Sequence, residues 1–264
     1  MRLVERGLLL EEQKVLVVAD LHIGYEFELS EAGVKIPSQT GGMKSRLIKM
    51  IREVKPEELI VLGDFKHNIP YVGTWEYEEL ERFVRDLPVR VTMIRGNHDV
   101  DLQSILHSEN VRFGDPRGEI RGSVGLFHGH VWPKRELFKC KYLVMGHTHP
   151  AVLLKESLGL ETRLSCFVQS RPIWSKLIER YPGELGSYNP ELKVIILPSF
   201  NKLLGGTALN VEEPLGPLAR RCLDIPNSEI ILEDGTILGT LRHIREAAGS
   251  HSGGEDPEKM ERGL

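Results

Sequence analysis

Cysteine is scarce in this 264-residue chain. Cys140, Cys166 and Cys222 are odd in number and widely spaced, which excludes a disulfide framework and a Cys-based zinc site. They read as reduced thiols of a cytoplasmic protein. An excess of positive charge is also missing: 34 Lys and Arg stand against 38 Asp and Glu, a net −4. A protein that coats nucleic acid through bulk charge is thereby excluded, and any nucleic-acid role has to use a local patch. Long apolar runs are absent too. No stretch approaches the roughly 18 residues of a membrane span, and Leu8-Leu9-Leu10 is stopped at once by Glu11 and Glu12, so neither a secretory leader nor membrane association is expected.

What remains is globular: 41% hydrophobic and 27% charged residues. Short apolar runs of strand length recur at Val15–Ala19, Leu59–Leu62, Val89–Ile94, Val124–Phe127, Tyr142–Met145 and Val194–Leu197. Helical spacing lies between them, in Met43, Leu47, Ile51 and Val54 and again in Tyr77, Leu80, Val84 and Leu87. This alternation predicts an α/β fold. From Pro150 onward the strand-like runs predict a second sheet packed on the first, with Glu233-Asp234-Gly235 as a hairpin turn. The length suits one two-sheet domain over 1–246. The Gly-, Ser- and Glu-rich stretch 247–264 is expected to be a disordered tail.

Polar clusters follow five of the apolar runs: Asp20-Leu21-His22, Gly63-Asp64, Gly96-Asn97-His98-Asp99, His128-Gly129-His130 and Gly146-His147-Thr148-His149. In α/β sheets ligands bind beyond the carboxyl ends of the strands. Any one cluster could be a turn or a helix cap. G-N-H-D, however, is expected by chance in about one such sequence in a thousand, and the ordered set is far rarer. Carboxylate, imidazole and amide donors without thiolate suit Mn, Fe, Co or Zn. They are too many for one ion and about enough for two, and Asp64 has two oxygens with which to bridge a pair. Two such ions would share an activated hydroxide for in-line attack at a phosphoryl group.

This ordered set resembles that of the calcineurin-like metallophosphoesterases. The resemblance implies a four-layer αββα sandwich of two mixed β-sheets flanked by helices, with the metal site at the strand C-terminal ends. It also implies that Asp20, His22, Asp64 and His149 hold one divalent ion and that Asp64, Asn97, His128 and His147 hold the other. By the same resemblance His98 contacts the phosphate and protonates the leaving oxygen, while Asp99 orients His98 or stabilises its protonated form. His67 stands where many members carry Asp or Asn. Gly63-Asp64-Phe65-Lys66-His67, Leu197-Pro198-Ser199-Phe200-Asn201 and Gly205-Gly206 are similar to the ligase-associated DNA-damage-response (PdeM-type) branch and its archaeal relatives. That branch implies a Mn-dependent phosphodiesterase, a nuclease on single-stranded DNA acting beside DNA-repair proteins, with Fe, Co, Ni or Zn as other metals.

His67 and His130 are candidate substrate contacts beside the metals. His107, His243 and His251 carry no motif and read as surface residues, and Tyr25 as packing. Lys134, Arg135, Lys139 and Lys141 form either a solvated face or a phosphate-tracking patch. Two other functions stay open. One is a phosphoesterase for small nucleotides, cyclic nucleotides or phosphomonoesters. The other is a non-catalytic metal-binding scaffold in a repair complex, which would need neither His98 nor Asp99. The oligomeric state is not legible.

Overall fold

The computed structural model of the chain describes residues 1–68, 74–155, 160–183 and 186–250. Two mixed sheets form its centre. The first runs β1 (Arg2–Val4), β2 (Gly7–Leu10), β3 (Val15–Ala19), β4 (Glu58–Leu62), β5 (Arg90–Ile94) and β6 (Val111–Gly114), in that spatial order. Strands β3 to β6 are parallel, and β1 and β2 are added antiparallel. The second is built from β7 (Glu119–Arg121), β8 (Val124–Phe127), β9 (Tyr142–Met145), β10 (Pro150–Lys155), β11 (Glu161–Ser170), β12 (Lys193–Ile196) and β13 (Thr207–Ala208). Its spatial order is β13-β10-β11-β12-β9-β8-β7, and the hairpin β14 (Glu229–Leu232) and β15 (Ile237–Thr240) joins through β11.

Helices α1 (Tyr25–Glu31), α2 (Thr40–Val54), α3 (Thr74–Arg85) and α4 (Leu102–Ile105) follow strands of the first sheet. Helices α5 (Trp174–Arg180), α6 (Pro217–Cys222) and α7 (Leu241–Ser250) belong to the second half, with a 3-10 turn at Arg135–Lys139. The stretch α2 forms because Met43, Leu47, Met50 and Ile51 bury one face. It ends where Lys55 turns left-handed and donates its N–H to Ile51.

Strand alternation sorts the core into three layers. In β3, Leu16 and Val18 face α2 and α3, with Leu59 and Val61 of β4 beside them. Val15, Val17 and Ala19 face the other way and meet Leu126, Val144 and Ile195 of the second sheet. In β9, Leu143 and Met145 face outward onto Leu177, Leu218 and Leu241 of α5, α6 and α7. The result is the αββα sandwich. Each fully buried side chain of this size contributes about 1.5–3 kcal/mol.

The sheets are also tied at one edge by charge. Arg121 on β7 reaches Glu58 on β4 at 3.0 Å and Glu119 at 3.0 Å, while Arg112 on β6 reaches Glu119 at 2.6 Å.

One expectation is corrected. The second sheet begins at β7, well before Pro150, so the five motif strands are divided: β3, β4 and β5 in one sheet, β8 and β9 in the other. The apolar run of a parallel strand reads the same in either sheet, because membership is set by distant partners. The last turn of α7 covers 247–250, and the rest of the expected tail, 251–264, lies outside the described residues.

Candidate metal centre

The five motif strands point their carboxyl ends the same way, and hydrogen bonds lock the turns that follow. Asp20 and His22 donate their backbone N–H groups to Gly63 and Asp64, at 3.2 and 2.8 Å, within the first sheet. Other bonds cross between the sheets. His128 Nδ1–H donates to the Leu62 carbonyl at 2.8 Å, and the His147 N–H donates to Asp20 Oδ2 at 3.0 Å.

The backbone at these turns is strained. Asp20, His22, Asp64, His147 and His149 have φ of 58, 42, 48, 65 and 46°, left-handed values that cost a non-glycine residue about 1 kcal/mol or more each. Neighbouring glycines make room. A Cβ on Gly146 would lie 2.6 Å from Asp20 Oδ2, and one on Gly96 would strike the Asp64 carboxylate.

The side chains gather into overlapping groups whose donor atoms lie within 4.8 Å of one another: Asp20, His22, Asp64 and His149; then Asp64, His128 and His147; and His22, His67 and His98. Asp64 belongs to the first two. Asn97 joins the second, its Oδ1 3.3 Å from His128 Nε2.

Do these residues suit a cation? The His128 Nδ1–H is committed to Leu62, so in a neutral ring Nε2 carries a lone pair. That lone pair faces Asp64 Oδ2 at 3.3 Å and Asn97 Oδ1 at 3.3 Å, both acceptors. Three acceptors pointing together need a proton or a metal between them. The chain alone answers with a proton. Burial opposes charge on His128, but Asp64 and then Asp20 outweigh it and raise its pKa to about 9. In the first group, His22 Nε2 and His149 Nε2 are buried without a hydrogen-bond partner among the described residues. They face carboxylate oxygens at 3.5 and 3.1 Å, out of hydrogen-bond alignment. Such orphaned lone pairs are what a cation would occupy.

Electrostatics agree. Burial lowers His22 to about 3 and His147 to about 4, so both are neutral. Burial also works against the charge of Asp64 and Asp20, but His128 for the former, and His149 and His128 for the latter, hold both below the usual carboxylate range.

The remaining expected residues divide. His98 lies edge-on to His22, its N–H donates to Asp64 Oδ1 at 2.9 Å, and its Nδ1–H donates to the His67 carbonyl at 2.5 Å. Asp99 was expected to orient His98, but its carboxylate instead accepts the N–H groups of Gly96, Phe65 and Lys66 at 2.8, 2.9 and 3.4 Å. It holds the β4 and β5 turns together, and burial, then repulsion by Asp64, raises it to about 6. His67 was expected to meet substrate, yet both ring nitrogens are turned onto Glu28 and His22. His130 lies 5.1 Å, centroid to centroid, from His128, with a buried, unpartnered Nδ1 among the described residues. Burial lowers its pKa to about 4.

Sequence reasoning missed the supports. Ser199 Oγ donates to the Asp20 carbonyl at 2.7 Å, and Asn201 Nδ2 to that of His22 at 3.3 Å. Buried Arg6 donates to the Ser199 carbonyl at 2.9 Å from the other end of the chain. Only the Leu197-Pro198-Ser199-Phe200-Asn201 motif hinted at them. In the basic stretch, Lys134 pairs with Asp115 at 2.8 Å and Arg135 with Glu136 at 3.2 Å.

Similarity to known proteins is found at the level of sequence pattern and of fold. The sequence model of the calcineurin-like phosphoesterase family matches residues 13–135. The crystal structure of Pseudomonas putida nuclease MPE is similar at 23% identity and a TM-score of 0.56, over 90% of this chain and 92% of that one. The E. coli phosphoesterase YfcE aligns at 16% identity and a TM-score of 0.40, over 85% and 96%. No curated protein sequence matches significantly.

Proposed function

We propose that this chain, which carries a calcineurin-like phosphoesterase domain, is a hydrolytic phosphodiesterase that uses two divalent cations, Mn foremost, to cleave single-stranded DNA in repair. One observation carries the reading: two donor groups share Asp64 at the strand ends, with His98 against them. Asp20, His22, Asp64 and His149 would hold one cation; Asp64, Asn97, His128 and His147 the other. When bound, the cations supply Lewis acidity, activating water and neutralising charge on the phosphoryl oxygens.

The chain's own groups do the rest. His98 holds its Nδ1–H on the His67 carbonyl, which leaves Nε2 to hold a proton and deliver it to the leaving oxygen. Asp99 fixes the Gly96 and Phe65 backbone, and thereby the placement of Asn97 and Asp64. The buried carboxylates Asp20 and Asp64 repel anionic substrate, which would be favoured only with cations bound.

Single-stranded DNA as substrate draws on the motifs similar to the DNA-damage-response branch and on the similar Pseudomonas protein being a nuclease. A small phosphoester is the second reading, favoured by the pairing of Lys134 and Arg135 with acidic residues, which leaves less free basic surface for a strand.

The test is hydrolysis of single-stranded DNA and of a panel of small mono- and diesters, with Mn added. DNA cleavage should be lost in Asp64→Ala. In His98→Ala it should fall roughly 100- to 10,000-fold with metal still bound. Undiminished cleavage by either variant overturns the site assignment; strong monoester turnover without DNA cleavage selects the second reading.

A further inference from the structure

His67 stands between helix α1 and the metal centre. Its Nε2 lies 2.5 Å from Glu28 Oε2, and its Nδ1 lies 3.1 Å from His22 Nδ1. The other nitrogen of His22, Nε2, is buried and unpartnered among the described residues, 3.5 Å from Asp64 Oδ2.

These contacts determine where the protons sit. A carboxylate only accepts, so His67 must present N–H at Nε2 to Glu28. A neutral His67 then has a bare Nδ1, which can only accept. Two imidazole nitrogens at hydrogen-bond distance share a single proton, so His22 supplies it from Nδ1. The His22 Nε2 is thereby left with a free lone pair, the form a metal ligand requires. Take the carboxylate away and His67 is free to adopt the opposite tautomer. Its Nδ1–H would then donate to His22 and push the His22 proton onto Nε2, where it blocks coordination.

We propose that Glu28 and His67 form a two-residue relay that selects the metal-competent tautomer of His22. Both are positioning residues acting through His22. Seen this way, the cluster of His22, His67 and His98 is a hydrogen-bonded network and not a third cation site, because the two Nδ1 atoms of His22 and His67 are spent on each other and His98 Nδ1 is spent on the His67 carbonyl. It also gives a reason for histidine at 67. Aspartate there could neither pass a proton preference from Glu28 to His22 nor stack on His98, as the His67 ring does at 5.1 Å and 24°. The purpose of the free lone pair rests on the function proposed above; the tautomer itself does not.

The experiment uses the full metal-free chain labelled with 15N at histidine. Long-range 1H–15N correlation spectra, recorded above the ordinary histidine pKa, report which nitrogen of each ring is protonated. His22 should appear as the Nδ1–H form and His67 as the Nε2–H form. In Glu28→Ala, His22 should shift to a mixture or to the Nε2–H form, and Mn affinity measured by calorimetry should weaken about 10- to 100-fold. Glu28→Gln keeps an acceptor oxygen and should restore both. Glu28 is largely exposed, so neither variant should change the melting temperature of the metal-free chain. His22 found as Nε2–H in the parent, or a tautomer and affinity unmoved in Glu28→Ala, overturns the relay. A parent that binds Mn yet hydrolyses no phosphoester overturns the proposed function while the spectra still decide the relay.

Discussion

Among individual residues, the glycines and the strained ligands depend on each other. Asp20 stays at its φ of 58° because its oxygens are held by the His147 N–H and its carbonyl by Ser199. The absent side chain of Gly146 leaves that carboxylate its space. Gly146→Ala should displace Asp20 and weaken Mn binding about tenfold or more, measured by calorimetry, while Gly235→Ala in the β14–β15 turn, where an added Cβ meets nothing within 4 Å, should leave Mn binding unchanged. The candidate ligands were legible because each follows an apolar run in a short, improbable string. Glu28, Arg6 and Ser199 were not. Each makes its contact with a residue more than 35 positions away, and its own neighbourhood in the sequence is unremarkable helix, loop or strand end. The hydrogen bonds of Asp99 were not legible for a related reason: adjacency to His98 in the sequence says nothing of a side chain that turns back onto the backbone of two strands.

At the level of secondary-structure elements, the parallel strands were legible and their grouping was not. The ionic clasp between β4, β6 and β7 bears on that grouping, since it joins the sheets at an edge where β7 is only three residues long. Arg121→Ala would leave Glu58 and Glu119 short of a partner and should cost about 1–3 kcal/mol in urea unfolding. The clasp also sets a pH dependence. Arg112, then Arg121, hold Glu119 down at about 2 against an ordinary 4.5, with burial opposing them. Folding therefore favours the charged form. This stabilisation is complete above about 4.5 and is lost as pH falls through 2. Stability measured across that interval should drop less steeply in Glu119→Gln than in the parent.

For the whole molecule, the candidate metal centre and the fold share one boundary. Each proposed cation would take donors from both sheets: Asp20, His22 and Asp64 with His149 in one group, Asp64 and Asn97 with His128 and His147 in the other. Ions that bind only the folded chain stabilise it by mass action, about 2.7 kcal/mol for each site held at a hundredfold excess over its Kd. For a chain of this size each kcal/mol is worth roughly 2–4 °C. Chelation should thus lower the melting temperature by roughly 5–10 °C or more, and Mn should restore it. In Asp64→Ala, chelation should change the melting temperature much less. The αββα arrangement was legible through family resemblance and alternation, whereas the depth of coupling between the sheets depends on pairings such as Arg6 with Ser199 that no local pattern records.

The position of the supports along the chain has a consequence for biosynthesis. Every donor lies at or before His149, yet the segment that steadies the first turn is Leu197–Asn201, and β12 must sit between β9 and β11 before that segment can arrive. At about 5–20 residues per second, a ribosome exposes the full set of donors several seconds before the part that holds them in place. The turn around Asp20 and His22 is therefore completed only when β12 docks and brings Ser199 and Asn201 onto their carbonyls, although its partners just after β4 and β9 are made earlier.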